Sequence, residues 1–311
     1  MHNVAVVFDT NAYRDLSRRI LPAAVWTVPS IGLAEQQRQI TAYASPFVIM
    51  ELASHLWDEK DPDYAQCRCG LTSLEQHCTA GNGGLIRILA DSESLVAKML
   101  FDHTPAGYNE QTERLCQIAR AVAVTAPSSA LDAAVVRICR QVADYIERRE
   151  MAFLADILAM IRDLDPTCQG WDPFDSNQAK REEALSTIWA EGMPRAVAAV
   201  LVAKAAAQVG ASCSGDDFKD RGDMVLEHCS ATIALYLEIL KRIAETGCDL
   251  TKKSRSNWIW DMQILLGLGE EIDKQRLVLV TTDGDVLSAA RAALLGDAVQ
   301  PLDEYLHALN S

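Results

Sequence analysis

The sequence lacks the features that would place it in a membrane or outside the cell. No apolar run reaches the roughly 18 residues that a membrane span needs. The longest candidate, AVAAVLVAKAAAQVGA, is interrupted by Lys204 and predicts a buried helix. The first residues lack a basic region followed by a signal-peptide core, because VAVVF runs directly into Asp9. The 9 cysteines follow no regular framework, which is typical of reduced thiols. These absences predict a cytoplasmic protein with no membrane partner.

Several familiar catalytic signatures are also missing. The chain has no Walker-type glycine loop, no GxSxG elbow and no GxGxxG stretch. Haloacid-dehalogenase-like phosphatases are disfavoured, because they need a second Asp two residues after the nucleophile and Asn11 follows Asp9 at that spacing. Cys67, Cys69, His77 and Cys78 lie close in sequence, but their spacing is not that of a standard zinc site. They are read either as zinc ligands or as small, partly buried residues.

Basic residues are scarce relative to acidic ones. The net charge of −14 argues against general, sequence-blind adhesion to nucleic acid. It does not exclude a nuclease, because an acidic site first recruits a cation and nearby basic residues then guide a phosphate backbone. Two basic clusters adjoin acidic motifs. One is Arg14, Arg18 and Arg19, and the other is Lys252, Lys253 and Arg255.

Acidic residues close several short apolar runs. Asp9 follows VAVVF, and Asp283 follows LVLVTT with Asp285 close behind. Glu51 lies in SPFVIMELASHL, and Asp261 lies in NWIWDMQILL. Carboxylates at the ends of buried strands are costly unless a positive group compensates them, and this edge of an open α/β sheet is where ligands bind. The pattern predicts a divalent cation and therefore a metal-dependent hydrolase.

The order of predicted elements indicates an α/β fold with a parallel sheet. Strands are predicted at 4–8, 45–50 and 277–281, a helix at about 285–295, an edge strand near Val299 bounded by Pro301, and a closing helix. Residues 61–214 show helical periodicity and little strand character, with a turn-rich break at GWDPFDSN. The stretch MVLEHCSATIALYLEILKRIAETG predicts one long helix that ends at Gly247.

These motifs together resemble the PIN-domain nucleases, a superfamily that includes toxin ribonucleases of bacterial toxin–antitoxin systems. The resemblance rests on DTN after the first strand, the Glu of VIMEL, an Asp that opens a helix, and TTD after a late strand. It covers roughly residues 1–60 and 250–300, about a third of the chain. It implies a PIN-like (Rossmann-like) parallel-sheet core at 1–60 and 215–311, interrupted by an all-α insertion at 61–214. Toxin-type members are compact, whereas roughly 210 positions separate Glu51 from Asp261 here.

The resemblance also implies roles for individual residues. Asp9, Glu51, Asp261 and Asp283 match the four acidic positions, and Asp285 matches an additional acid. Asn11 and Thr281 match neighbours that orient the ligands. The implied cofactor is Mg²⁺ or Mn²⁺, which prefer oxygen ligands. The implied activity is that of an endoribonuclease, in which the cation polarises water for attack on an RNA phosphodiester.

The partners expected on this basis are RNA, an inhibitory protein and a second copy of the chain in a homodimer. RNA contacts are assigned to Arg14, Lys252, Lys253 and Arg255. Trp258 and Trp260 adjoin the second basic cluster and either stack on a base or pack in the core. His55 shares a helical face with Glu51 and is expected to be a packing or surface residue.

Other readings stay open. The chain could be a PIN-like scaffold that binds RNA or protein with little or no cleavage, or a nuclease of the flap and 5′-exonuclease kind that acts on DNA. Each acid also has an ordinary structural explanation. Asp9 and Asp283 suit turns or helix N-caps, Asp261 suits a first helical turn, and Glu51 suits a solvated helix surface.

Overall fold

The fold comes from a computed structural model that describes residues 4–19, 28–103, 107–164, 166, 178–188, 190–246, 257–269, 271–272 and 274–310. The strands in the described residues are β1 (Val4–Phe8), β2 (Ile40–Tyr43), β3 (Glu271–Ile272), β4 (Gln275–Thr281) and β5 (Val299–Pro301). The early helices are α1 (Thr10–Arg19), α2 (Val28–Gln37), α3 (Pro46–Ser54), α4 (Tyr64–Thr79), α5 (Ser92–Phe101), α6 (Tyr108–Val124) and α7 (Ala133–Leu164). The later helices are α8 (Gln178–Ile188), α9 (Met193–Val209), α10 (Gly215–His228), α11 (Ser230–Thr246), α12 (Trp258–Leu266), α13 (Gly284–Ala292) and α14 (Leu302–Asn310). Two 3₁₀ turns lie at Gly267–Gly269 and Gly296–Ala298.

The sheet is small and mostly parallel. Strand β1 lies between β2 and β4 and pairs in parallel with both. Strand β4 has two further partners on the side away from β1. The end of β4 pairs in parallel with β5, and the start of β4 pairs antiparallel with the two-residue β3. The chain is therefore an α/β protein in which helices predominate. The parallel arrangement brings the carboxyl ends of β1 and β4 to one edge of the sheet.

Helices cover both faces of the sheet. Val6 and Phe8 of β1 point into one hydrophobic cluster, and Ala5 and Val7 point into another, as the two-residue period of a strand requires. The first cluster includes buried residues of α4 and α6, and the second includes buried residues of α7 and α8. Helices from 61–214 thus share cores with the strands. The division into a core at 1–60 and 215–311 and an insertion at 61–214 remains a prediction.

Most predicted elements are confirmed. The strands at 4–8 and 277–281, the edge strand that ends at Pro301 and the closing helix are all observed. Where the structure describes residues 61–214, they form helices and connections, with one isolated bridge between Ala44 and Ile88. The GWDPFDSN break and Gly247 lie outside the described residues. In the part of the chain that the structure describes, no helix is long and apolar enough to cross a membrane.

Two predicted elements are wrong. The segment SPFVIM is not a strand, because Pro46 occupies the first turn of α3, where its fixed φ suits a helix. A short apolar run does not distinguish a strand from a buried helix, and the actual strand is the preceding β2. The long helix expected from Met224 is divided at Cys229 into α10 and α11. The apolar spacing continues across that break, so periodicity alone did not reveal it.

Candidate carboxylate site

The two central acids of the predicted site lie at the same edge of the sheet. Asp9 immediately follows β1, and its backbone N–H donates to Val280 O of β4 at 3.0 Å. Asp283 follows the end of β4 by two residues and caps the N-terminus of α13. Adjacent parallel strands therefore bring together two residues that are far apart in sequence. The strand-end pattern seen in the sequence is confirmed for Asp9.

Asp9 is a buried carboxylate with two hydrogen bonds. Asp9 is only 6% exposed to solvent. Oδ1 accepts from the Ala12 backbone N–H at 2.6 Å, and Oδ2 accepts from the Thr281 hydroxyl. Burial raises the pKa of Asp9 to about 7, aided by the charges of Glu51 and Asp283, while the two hydrogen bonds oppose the shift. The carboxylate is held in place but its negative charge is poorly compensated.

Thr281 connects the two central acids. Its hydroxyl donates to Asp9, and its oxygen accepts from the backbone N–H of Asp283 at 2.8 Å. Thr281 is completely buried at the end of β4. The geometry agrees with the orienting role expected for it. Asn11, which was expected to play a similar part, has an exposed position on α1.

Glu51 reaches the same edge from α3. Its Oε2 accepts from the Thr10 hydroxyl at 2.6 Å, across 41 positions of sequence. Burial raises the pKa of Glu51, while the Thr10 hydrogen bond and the charges of Arg14 and His55 lower it. Glu51 lies in a helix, as the sequence predicted, and it is partly buried rather than solvated.

Asp261 lies in the first turn of α12. Burial raises its pKa well above the ordinary value, and the next largest influences are Asp283, Glu51 and Asp9. Four acids from four separate parts of the chain thus act on one another electrostatically. Like charges in a partly buried region are unfavourable unless they bind protons or a cation.

The donor chemistry of these four acids fits a divalent cation. Carboxylate oxygens are the ligands that Mg²⁺ and Mn²⁺ prefer. Among the described residues, the group whose ligand atoms all lie within 4.8 Å of one another is His55, Asp61 and Asp63, and it does not include these four acids. Mg²⁺ keeps several waters in its shell, so ligands can also reach it through water. We call Asp9, Glu51, Asp261 and Asp283 the carboxylate site.

Asp285 has a partner of its own. Both of its oxygens accept from the Arg242 guanidinium of α11, at 2.6 and 2.7 Å. Its backbone N–H donates to Asp283 Oδ1 at 2.7 Å. This paired geometry favours a role in holding the start of α13 over the ligand role that the resemblance implied.

The basic residues predicted to contact RNA are only partly described. Arg14 is half-buried and donates to Asp63 Oδ2 at 2.9 Å and to Cys67 Sγ at 3.2 Å. Its guanidinium is therefore already engaged by groups of the protein. Arg18 is exposed and contacts Asp15 and Gln66. The Arg19 side chain and Lys252, Lys253 and Arg255 lie outside the described residues.

The predicted cysteine–histidine group does not assemble as a zinc site among the described residues. Cys67 contacts Arg14, His77 contacts Tyr13 and Glu35, and Cys69 is exposed. A different group, His55, Asp61 and Asp63, has ligand atoms within 4.8 Å of one another. Within that group His55 Nδ1 lies 3.0 Å from Asp61 Oδ2, and Asp63 also pairs with Arg14.

The two tryptophans considered as stacking platforms are core residues. Trp258 is 4% exposed and Trp260 is 3% exposed, so neither ring is available to a base. Trp260 donates its indole N–H to Glu150 at 2.9 Å. Base stacking by these residues is therefore excluded in this conformation.

Sequence reasoning missed three residues near the carboxylate site. Thr10 stands inside the DTN motif and is the one that a closer reading of that motif could have identified. Arg242 and Glu150 belong to α11 and α7, and nothing in their local sequence connects them to Asp285 or Trp260. Comparisons with protein-family models, curated proteins and solved structures found no match to this chain.

Proposed function

We propose that the chain is a metal-dependent nuclease that hydrolyses RNA phosphodiester bonds at the carboxylate site. The observation that carries the proposal is geometric: hydrogen bonds through Thr281 join Asp9 to Asp283 at the sheet edge, and Thr10, next to Asp9, holds Glu51. Burial and the charges of these three acids also raise the pKa of Asp261. Perturbed acids gathered at the carboxyl edge of a parallel sheet are typical of functional sites. Their order along the chain also matches the PIN-domain pattern.

The protein supplies orientation. Thr281 and the Ala12 N–H hold the two oxygens of Asp9, and Thr10 holds Glu51. The N-terminus of α13 holds Asp283, whose Oδ1 accepts from the N–H groups of Asp285 and Val286. When bound, Mg²⁺ or Mn²⁺ neutralises charge on the phosphate and polarises the attacking water. Oriented carboxylates bind a cation without the cost of rearranging at each turnover.

RNA is proposed as the substrate on the strength of the resemblance to toxin-type PIN ribonucleases. The same resemblance supports an inhibitory protein partner and a homodimer, and the scattered cysteines, typical of reduced thiols, support a cytoplasmic setting. The described cations near the site, Arg14 and Arg242, are both engaged with acids. Their engagement favours a substrate that is drawn to the site through the bound cation rather than through an open basic surface.

The test compares Asp9→Asn and Asp283→Asn with Asp216→Asn, a matched control because Asp216 is exposed at the start of α10. Each protein is incubated with Mn²⁺ and either single-stranded RNA or flapped DNA, and Mn²⁺ binding is measured by calorimetry. We expect both site variants to lose at least about 100-fold in RNA cleavage and about 10- to 100-fold in Mn²⁺ affinity, while the control is unchanged.

Three results would count against the proposal. Unchanged cleavage in both site variants would remove the carboxylate site from the chemistry. Faster cleavage of flapped DNA than of RNA would indicate a DNA nuclease of the flap kind. Binding of RNA without divalent-stimulated cleavage by the wild-type protein would indicate a binding module.

A further inference from the structure

Glu150 is a buried carboxylate that none of the predicted motifs includes. It lies on α7, in the helical segment between Glu51 and Asp261, and is 9% exposed. Its Oε1 accepts the indole N–H of Trp260 at 2.9 Å. Trp260 directly precedes Asp261 in the first turn of α12. This hydrogen bond joins α7 to the turn that carries one acid of the carboxylate site.

Trp260 also contacts the helix that carries Glu51. Its ring lies 5.8 Å from the ring of Phe47, one turn before Glu51 on α3. Phe47, Ile146, Ile259 and Trp260 form a separate hydrophobic cluster, which we call the Trp260 cluster. Its members belong to α3, α7 and α12, so these three helices meet in this cluster.

Glu150 also acts on the carboxylate site, because its negative charge is among the influences that raise the pKa of Glu51. The hydrogen bond to Trp260 is the specific contact that an apolar side chain could not make, because a buried indole N–H requires an acceptor.

We infer that Glu150 is a positioning residue. By holding the indole of Trp260 it sets where Asp261 stands relative to Glu51, and it makes α7 part of the scaffold of the cation site. The inference rests on the proposed function in that the carboxylate site must bind a cation. It assigns the helical segment a role in site assembly, in addition to covering the sheet.

The experiment measures Mn²⁺ affinity of the full chain by calorimetry for the wild type and three variants. Glu150→Ala removes the acceptor, and Trp260→Phe removes the donor but keeps an aromatic ring. Glu150→Gln removes the charge but keeps a carbonyl oxygen that accepts from the indole. Glu147→Ala is the matched control, because Glu147 is exposed on the same helix.

We expect Glu150→Ala and Trp260→Phe each to weaken Mn²⁺ binding about 10-fold, the lower end of the range for residues that orient metal ligands. The double variant should be no weaker than the single ones, because both remove the same bond. Glu150→Gln and the control should bind like the wild type. Amide exchange at residues 258–262 should accelerate in Glu150→Ala and Trp260→Phe without Mn²⁺, which tests the link independently of the metal.

Two results would overturn the inference. One is a Glu150→Ala variant with wild-type Mn²⁺ affinity and unchanged exchange at 258–262. The other is a Glu150→Gln variant as weak as Glu150→Ala while Trp260→Phe binds normally, because the charge and not the hydrogen bond would then matter. A wild-type protein that binds no Mn²⁺ would instead overturn the proposed function, which keeps the two failures distinct.

Discussion

Two buried polar regions lie next to each other at the end of β1, and they handle charge in opposite ways. Asp9 belongs to the carboxylate site. Phe8, the residue before it, packs against a second region that we call the Glu35 network, which consists of Glu35, His77, Tyr13, Tyr305 and Cys78. In the network Glu35 Oε2 lies 2.7 Å from His77 Nε2, and Oε1 accepts from Tyr305 at 2.5 Å. His77 Nδ1 lies 3.0 Å from the Tyr13 hydroxyl.

The difference separates a region that is complete without a ligand from one that we propose to bind a cation. Each polar side chain of the Glu35 network has a partner inside the chain, so the network ties α1, α2, α4 and α14 together without any ligand. In the carboxylate site burial and the charges of other acids raise the pKa of Asp261, and burial raises the pKa of Asp9 to about 7. The first arrangement stabilises the fold, whereas the second stabilises it fully only when protons or a cation are bound.

The largest expected effect is the loss of Glu35. Glu35→Ala leaves both His77 Nε2 and the Tyr305 hydroxyl without their buried partner. Each buried hydrogen-bonding group left without a partner costs about 1–3 kcal/mol of unfolding free energy, so losing both contacts should cost about 2–6 kcal/mol. Urea denaturation measures it, with Gln37→Ala on the exposed side of the same helix as control. A loss below about 1 kcal/mol would show that the network is not the structural anchor described above.

Neutralising Asp9 should raise the free energy of unfolding, whereas the loss of Glu35 lowers it. Because its folded pKa is raised from the ordinary 3.8 to about 7, its favourable contribution is complete below pH 3.8 and is lost as the pH rises through 7. Asp9→Asn should therefore stabilise the metal-free protein by about 1–3 kcal/mol at pH 8 and by little at pH 4. Denaturation with a chelator across this pH range measures the difference. A destabilised variant at pH 8 would place Asp9 with the structural acids.

Adding Mn²⁺ to the same samples tests whether Asp9 takes part in binding the cation. Wild-type protein should gain stability, because a ligand that binds only the folded state stabilises it. Asp9→Asn should gain much less. Equal stabilisation of both proteins would locate cation binding elsewhere, for example at His55, Asp61 and Asp63.

The smallest effect is expected for the substitution of Asp285, which also serves as an internal control for the ligand set. It is adjacent to the carboxylate site but already paired with Arg242, and both side chains are about one-third exposed. Asp285→Asn should therefore destabilise the metal-free protein by less than about 1 kcal/mol and leave Mn²⁺ affinity nearly unchanged. A loss of affinity as large as that of Asp283→Asn would restore Asp285 to the ligand set that the resemblance implied.

Local sequence correctly predicted the positions of the acidic residues that follow strands β1 and β4. The run VAVVF identified β1, and the acid after it had to lie at the sheet edge because a buried strand leaves no other place for a charge. The same reasoning applied to LVLVTT and Asp283. It failed for SPFVIM, because a six-residue apolar run fits a buried helix as well as a strand. It also failed for Arg14, whose proximity to Asp9 in sequence did not reveal its pairing with Asp63.

The sequence by itself determined the acidic positions, strands β1 and β4 and the predominance of helices between Glu51 and Asp261. Those properties follow from residue type and short-range periodicity, which each segment carries alone. Only the tertiary structure decided that Thr10 holds Glu51, that Arg242 neutralises Asp285 and that Glu150 reaches Trp260. These contacts join residues 41, 43 and 110 positions apart, so they depend on how helices pack on the sheet and not on any local pattern.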